Sequence, residues 1–138
     1  MGTSLQPDLA PGLNRITAYR ADAVRVGATE FSHSVLVLPE GTPQRWEPSA
    51  FEHLSDDHLR ALATQPVEVI LIGTGTQIHL IPPSRLARFF PRTGVECMTT
   101  DAACRTFNLL ASEGRKVLAA LIVPPHSSNL SPPECTTP

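Results

Sequence analysis

The sequence predicts an α/β domain: a three-layer arrangement with a central mixed sheet, flanking helices and an added N-terminal β-hairpin. Two segments, Val67–Ile72 and Val117–Val123, are almost entirely aliphatic, which is typical of strands covered on both faces. Strand-like and helix-like patterns alternate around these segments. Buried strands that alternate with helices favour a parallel or mixed sheet with helices against its faces.

The N-terminal third favours β-structure. Asn14–Arg20 and Val24–Gly27 are short segments of mixed apolar and polar residues separated by a turn signal, which predicts a β-hairpin. Phe31–Leu38 alternates along its length and predicts one longer strand. A further short strand is expected at Arg45–Glu47.

Capping residues predict three helices. Ser55 has the side chain of an N-cap and precedes two aspartates, which suit the positive end of a helix dipole. Ser84 is the expected cap of a second helix. Thr99 or Thr100 caps a third helix that runs to Ser112 and is followed by a glycine in the usual position after a helix end.

Short strands are expected between these helices. Gly73 and Gly75 break the strand at Val67–Ile72. Gln77–Ile81 and Val95–Met98 are predicted to form further strands. The last strand, apolar throughout, completes the sheet.

The two ends of the chain differ in composition from the middle. Residues 1–12 are polar and contain two prolines, and residues 124–138 combine five prolines with serine and threonine. Such segments bury too little apolar surface to offset the entropy of ordering. We therefore expect a flexible arm at 1–12, a single α/β domain at 13–123 and a disordered proline-rich tail at 124–138.

The charge balance argues against some partner classes. The 138 residues carry 11 Lys and Arg and 13 Asp and Glu, a formal net charge of -2, without a run of like charges. A binder of nucleic acid or of an anionic membrane would present a basic face, so neither is expected. No apolar run approaches the ~18 residues of a membrane span. The first residues resemble neither a secretory signal nor a transit peptide, so a bacterial cytoplasmic location is expected.

No metal or cofactor site is predicted. Cys97, Cys104 and Cys135 are odd in number and lack a C-x-x-C spacing, which indicates reduced thiols. No pair among the five histidines has the spacing of metal ligands.

Two backbone features could hold a small anion. Gly73-Thr74-Gly75 follows a buried strand, and amides in such a turn can bind an anion. Thr99-Thr100-Asp101 opens a helix whose first N–H groups can do the same. If the two preceding strands are parallel, both features lie at their carboxyl ends, where ligands of open α/β sheets bind. The structural alternatives are a tight turn and an ordinary capped helix.

Polar residues of the third helix and of the strand before it extend this candidate site. Asp101, Arg105 and Asn108 share one helical face, although an Asp101–Arg105 surface pair explains two of them without a ligand. Glu113, at the end of the helix, is expected to pair with Arg115 or Arg105. The candidate ligand-binding residues are Gly73, Thr74, Gly75, Glu96, Thr99, Thr100, Arg105 and Asn108.

Four blocks of the chain resemble a known family. They are Val67–Gly75, His79–Pro82, Gly94–Leu110 and Glu113–Ile122. They resemble the small domain family that includes mitochondrial NADH dehydrogenase (complex I) assembly factor 3, and the resemblance covers most of Ile16–Val123. It implies a three-layer α/β fold with a central mixed sheet and an added hairpin. It also implies a non-enzymatic assembly role, with no catalytic residues to carry over.

Two functions are therefore expected. The first is a non-enzymatic accessory or assembly protein that binds a protein partner and is linked to a membrane or respiratory complex. The second is a protein or enzyme that binds a small anionic ligand at the Gly73–Gly75 turn and the Thr99–Arg105 helix start. No catalytic residue is predicted, although Glu96 is the first candidate for a general base. The sequence leaves the oligomeric state open.

Overall fold

The computed structural model describes residues 12–125. The arm predicted at 1–12 and the tail predicted at 124–138 therefore lie almost entirely outside the described residues. Within residues 12–125 the chain forms eight strands, three α-helices and one short 3-10 helix. The elements are β1 (Ile16–Arg20), β2 (Ala23–Val26), β3 (Thr29–Phe31), β4 (Val35–Val37), β5 (Gln44–Arg45), the 3-10 helix (Phe51–His53), α1 (Asp56–Ala63), β6 (Val69–Gly73), α2 (Pro83–Phe89), β7 (Gly94–Met98), α3 (Thr100–Ser112) and β8 (Val117–Leu121).

The strands form two sheets. The larger has the order β5-β4-β8-β6-β7, and the smaller has the order β1-β2-β3. In the larger sheet β6 runs parallel to β7 and β8, whereas β4 is antiparallel to β5 and β8. The sheet is therefore mixed, as predicted. The predicted N-terminal hairpin is present as β1 and β2, and β3 extends it to three antiparallel strands.

Both faces of the larger sheet are covered, because alternate residues of its central strands point to opposite sides. Leu71 packs on one face with Phe107 of α3 and Val24 of the small sheet. Ile70 packs on the other face with Leu59 of α1. Each of these side chains is at most 1% exposed. The aliphatic runs that predicted doubly covered strands thus form the middle layer, and the predicted three-layer α/β arrangement is confirmed.

The third helix begins and ends on the predicted signals. The Thr99 hydroxyl accepts a hydrogen bond from the N–H of Ala102, 3.3 Å away. At the other end Gly114 has a φ of 81°, and its N–H donates to the carbonyl of Ala111. The N–H of Arg115 donates to the carbonyl of Leu110. This pair of bonds is a Schellman motif, which requires a left-handed residue such as glycine after the helix.

The first two helices differ in how they begin. Ser55 caps α1 as predicted, since its hydroxyl accepts a hydrogen bond from the N–H of His58. In α2, however, Pro83 is the first residue and Ser84 lies inside the helix, so the predicted cap at Ser84 is wrong. Proline suits the first helical position because its φ is already helical and the N–H that it lacks would have no helical partner there.

Two predicted strands are wrong. Phe31–Leu38 divides into β3 and β4, which belong to different sheets, because the chain bends at Ser32–Ser34. The buried Ser34 hydroxyl accepts a bond from the N–H of Val123, 2.9 Å away, which holds the bend against β8. Gln77–Ile81 is an irregular segment with no strand neighbour among residues 12–125. The short strand expected at Arg45–Glu47 forms earlier, as β5.

Candidate functional site

The carboxyl ends of β6 and β8 meet the start of α3 in one tightly packed junction. A Cβ atom on Gly73, the last residue of β6, would lie 2.9 Å from both the Cα and the Oγ1 of Thr100. Real Cβ atoms do not approach this closely, so only glycine allows the helix to begin against the strand.

Thr100 links three elements at this junction. Its hydroxyl accepts a hydrogen bond from the N–H of Gly75 at 2.9 Å and donates one to the carbonyl of Ile122 at 2.8 Å. Its own N–H donates to the carbonyl of Gly75 at 2.9 Å. Since Thr100 is 1% exposed, these bonds are shielded from water. Thr100 therefore fastens the turn after β6 to α3 and to the end of β8.

Thr74 holds the turn itself. Its N–H donates to the carbonyl of Met98 at 2.8 Å, which continues the β6–β7 ladder by one residue. Its hydroxyl donates to the carbonyl of Gln77 at 2.7 Å and accepts from the N–H of His79 at 3.2 Å. These bonds redirect the chain after β6 and explain why the segment that follows does not continue as a strand.

This geometry tests the prediction that the Gly73–Gly75 turn and the helix start at Thr99 bind a small anion. The Gly73 turn and the helix start at Thr99 do lie at the same end of two parallel strands, since Gly73 is in register with Met98. Their amides, however, already donate within the protein: those of Thr74, Gly75, Thr100 and Ala102 all have acceptors. An anion would have to displace these bonds. The arrangement acts as a structural brace and gives the anion-binding prediction no support.

Two other predicted site residues also have structural partners. The side chain of Asn108 accepts a hydrogen bond from the N–H of Ile16 and donates one to its carbonyl, both at 2.8 Å. Asn108 thereby fastens β1 to α3. Arg105 pairs with Asp101 one helical turn away, and both side chains are at least half exposed. Such a surface pair contributes only a few tenths of a kcal/mol.

Glu96 lies apart from the other predicted residues. It is at the centre of β7, in register with Leu71 of β6, and its side chain is exposed on the α3 side of the sheet. No ion pair to Glu96 occurs within residues 12–125. The structure thus brings Gly73, Thr74, Gly75, Thr99 and Thr100 together and leaves Glu96, Arg105 and Asn108 outside that junction.

The predicted partner of Glu113 is wrong. Arg115 instead pairs with Glu68 at 3.1 Å, and Arg105 pairs with Asp101. Glu68 also accepts a bond from the N–H of Lys116, and these contacts hold its pKa below the usual value, with the Lys116 N–H as the largest cause. The chain turns sharply at the end of α3, which brings Arg115 back beside the start of β6.

A small concavity of about 150 Å³ lies next to the brace. The ring of His79 stacks on that of Phe51, with centroids 4.9 Å apart and planes inclined by 13°. This stack forms part of the wall, together with Thr74, Gly75, Ile122 and Pro124. Sequence reasoning missed Phe51 and His79 as partners; the only signal was the presence of His79 in a block with family resemblance.

The segment 76–80 that leaves this concavity is exposed along its whole length. It carries two large apolar side chains that face solvent: Ile78 is 58% exposed and Leu80 is 71% exposed. The bonds to Thr74 and the stack on Phe51 hold the segment in place. The protein therefore holds two large aliphatic side chains in solvent within a stretch of three residues.

The thiols in the described part of the chain are not arranged for nucleophilic chemistry. Burial raises the pKa of Cys104 to about 12, with a further contribution from Asp101. Burial also raises the pKa of Cys97. A nucleophilic cysteine needs a lowered pKa, so both groups are protonated at neutral pH. Within residues 12–125 no cluster of His, Cys, Asp and Glu could hold a metal ion, and no helix is long and apolar enough to cross a membrane.

Two curated proteins are similar to part of this chain. The sequence is 38% identical over 90 residues to the protein named NADH dehydrogenase [ubiquinone] 1 alpha subcomplex assembly factor 3 of Drosophila melanogaster, covering 60% of this chain and 45% of that protein. It is 44% identical over 63 residues to the 13 kDa major membrane protein of Francisella tularensis subsp. holarctica, covering 44% and 50%. The chain thus spans about half the length of these curated relatives.

A solved structure extends the likeness to the whole fold. The solution structure of a Mth938-like domain protein from Bordetella pertussis superposes with a TM-score of 0.76 at 30% identity, covering 94% of this chain and 96% of that one. The model of a family described as a protein of unknown function (DUF498/DUF598) matches residues 16–122, which span β1 to the end of β8. The chain therefore belongs to the DUF498/DUF598 family, which includes proteins named as complex I assembly factor 3.

Proposed function

We propose that this protein is a non-enzymatic accessory factor that binds another protein during the assembly of a membrane-bound or respiratory complex. The names of its relatives, an assembly factor and a major membrane protein, support a role of this kind. The raised pKa values of Cys97 and Cys104 also speak against thiol catalysis.

The exposed pair Ile78 and Leu80 is the observation that carries this proposal. Full burial of a large aliphatic side chain contributes about 1.5–3 kcal/mol, and Ile78 and Leu80 each forgo more than half of it, since they are 58% and 71% exposed. Leu109 on α3 is also 58% exposed, but single exposed aliphatic residues are common and need no partner. The two side chains of the ordered segment, by contrast, are close enough in sequence to be covered by one partner.

A matched pair of variants tests the proposal. The full chain, tagged and expressed in its native host, is purified with its partners after solubilisation of the membranes. We expect wild type and the control Leu109→Ser to recover the same membrane-complex subunits, and Ile78→Ser/Leu80→Ser to lose them. If wild type recovers no partner at stoichiometric yield, the proposed function is wrong. If the double variant recovers as much as wild type, Ile78 and Leu80 are not the binding surface.

A further inference from the structure

Within residues 12–125, one side of β7 has no neighbouring strand, and the main-chain groups on this open side can accept another strand. β7 is the last strand of the larger sheet and has β6 as its neighbour there. The N–H of Gly94 donates to the carbonyl of Glu68, and the carbonyl of Met98 accepts from the N–H of Thr74, so both ends of β7 bond toward β6. Successive residues of a strand bond to alternate sides. The N–H and C=O groups of Val95 and Cys97 therefore point to the open side.

The two edges of the sheet are protected to different degrees. β5, at the far edge, has only two residues, and a very short edge strand leaves little to pair with. β7 has five residues and spans about 17 Å. Its only charged residue is Glu96, at its centre. β7 is thus the edge with the length and main-chain groups for strand addition.

Exposed apolar side chains lie beside this edge. The backbone of Ile81 lies near enough to the Cys97 thiol to lower its pKa slightly, and both residues belong to the same apolar cluster, so the segment before α2 lies against β7. The next residue toward the N-terminus is Leu80, whose Cα is about 3.8 Å from that of Ile81. Leu80 is 71% exposed, and Ile78 is close by in sequence. An added strand would therefore meet apolar surface on the Val95 and Cys97 side of the sheet.

Glu96 determines the charge that the added strand must carry. It faces the opposite side of the sheet from Val95 and Cys97, is exposed, and makes no ion pair within residues 12–125. Opposite charges on directly paired residues of neighbouring strands stabilise the pairing, and like charges destabilise it. A lysine or arginine in the partner strand, opposite Glu96, satisfies this rule.

The same carboxylate argues against a second copy of this chain as the occupant. Two β7 strands related by a two-fold axis perpendicular to the sheet run antiparallel, with Val95, Glu96 or Cys97 on the axis. With Val95 or Cys97 on the axis, the two Glu96 side chains lie in diagonal positions. With Glu96 on the axis, they lie directly opposite each other. Each arrangement brings two carboxylates within reach of each other across the strands.

We propose that the β7 edge surface, made of the β7 main chain, Glu96, Ile78 and Leu80, binds an extended segment of a partner protein. That segment adds as a strand to β7, places a lysine or arginine opposite Glu96, and packs apolar side chains on Leu80 and Ile78. Its main chain supplies the affinity and its alternating side chains the specificity. This inference rests on the proposed function and names the surface and the chemistry of the partner.

The test uses variants that address the edge without changing the β6 pairing. Val95→Pro removes an N–H that points away from β6, and proline is tolerated on such an edge. Glu96→Arg reverses the charge, and Gln44→Arg on β5 is the matched control at the other edge. The partner recovered by wild type serves as the ligand. We expect Val95→Pro and Glu96→Arg to bind it at least about tenfold more weakly than wild type, and Gln44→Arg to bind it as wild type does. Thermal unfolding of each variant verifies that it is folded.

Hydrogen exchange of the full chain, alone and in the complex, supplies the direct readout. The amides of Val95 and Cys97 are expected to exchange quickly in the protein alone and to be protected in the complex. Replacing the partner's basic residue by glutamate is expected to restore binding to Glu96→Arg. If wild type binds its partner and the edge variants bind it equally well, the strand-addition inference is wrong while the proposed function stands.

Other occupants would give distinct results that also overturn the inference. If these two amides are protected in the protein alone in proportion to its concentration, with a dimer by light scattering, the occupant is a second copy. If they are protected at all concentrations and become unprotected in a chain that ends at Pro125, the occupant is the segment 126–138 of the same chain.

Discussion

Gly73 and Thr100 are in contact at their backbones, with a Cβ on Gly73 falling 2.9 Å from the Cα of Thr100. The contact is possible because β6 ends at the point where α3 begins. Ile122, just after β8, also joins Gly73, since its N–H donates to the carbonyl of Gly73. The turn that the sequence predicts to bind an anion therefore serves to pack β6 against α3.

The first prediction concerns the contact between Gly73 and Thr100. Gly73→Ala is expected to destabilise the protein by about 1–3 kcal/mol, because the methyl group would push the start of α3 away from β6. Gly94→Ala is the matched control: its added Cβ would meet the carbonyl oxygen of Glu68 at an ordinary 3.6 Å. Urea denaturation of both variants measures the difference. Equal stability of the two variants would mean that α3 moves away from β6 without cost.

The second prediction concerns the Thr100 hydroxyl. Thr100→Val keeps the shape of the side chain but leaves the N–H of Gly75 and the carbonyl of Ile122 without their partner. Each unsatisfied buried group costs about 1–3 kcal/mol, so the free energy of unfolding should fall by at least the lower figure. Thr106→Val, on the same helix, should have little effect, since within residues 12–125 the side-chain hydrogen bonds of α3 and its cap come from Thr99, Thr100, Asp101, Arg105, Asn108 and Ser112 and not from Thr106. If Thr100→Val lowers the free energy of unfolding no more than Thr106→Val does, the Thr100 hydroxyl does not hold the junction together.

The third prediction separates the roles of Asn108. If this side chain fastens β1 to α3, Asn108→Ala should speed hydrogen exchange of the Ile16 amide and lower the free energy of unfolding by about 1–2 kcal/mol. Ser112→Ala is the control, because within residues 12–125 the Ser112 hydroxyl bonds only inside its own helix, to the carbonyl of Leu109. Unchanged exchange at Ile16 would show that β2 alone holds β1 in place.

How much the sequence could predict depends on whether a residue's role is local. The strands at Val69–Gly73 and Val117–Leu121 were predictable because doubly covered strands must be aliphatic on both faces. The Schellman motif at Gly114 was predictable because helix ends are encoded within a few residues. The segment at Gln77–Ile81 has the composition of a strand, yet the bonds to Thr74 turn it away from the sheet.

The candidate site was harder to predict because polar groups have the same appearance in a sequence whether they bind a ligand or the chain itself. Asn108 was predicted to bind a ligand, but its partner is the backbone of Ile16, far away along the chain. The stack of His79 on Phe51 depends on where a loop and a 3-10 helix meet. Local patterns carry no information about such contacts, so only the three-dimensional arrangement reveals them.

The last prediction concerns the alkaline limit of stability. Burial raises the pKa of the Cys104 thiol from 9.0 to about 12 in the folded protein. Between these two values the unfolded chain has lost this proton and the folded chain has kept it. Stability rises with pH only where the unfolded state binds more protons, so here it must fall as the pH rises. The contribution of Cys104 is complete below pH 9 and is lost as the pH approaches 12.

Chemical denaturation from pH 7 to pH 11 measures this loss. The free energy of unfolding of Cys104→Ala should decrease more gently with pH than that of wild type. The decrease should not vanish in the variant, because burial also raises the pKa of Tyr19, and this shift has the same sign. Tyr19→Phe with Cys104→Ala should flatten the profile further. Identical slopes for wild type and Cys104→Ala would mean that the thiol ionises in the folded protein as it does in water, which is incompatible with its burial against Phe107 and the rest of the α3 core.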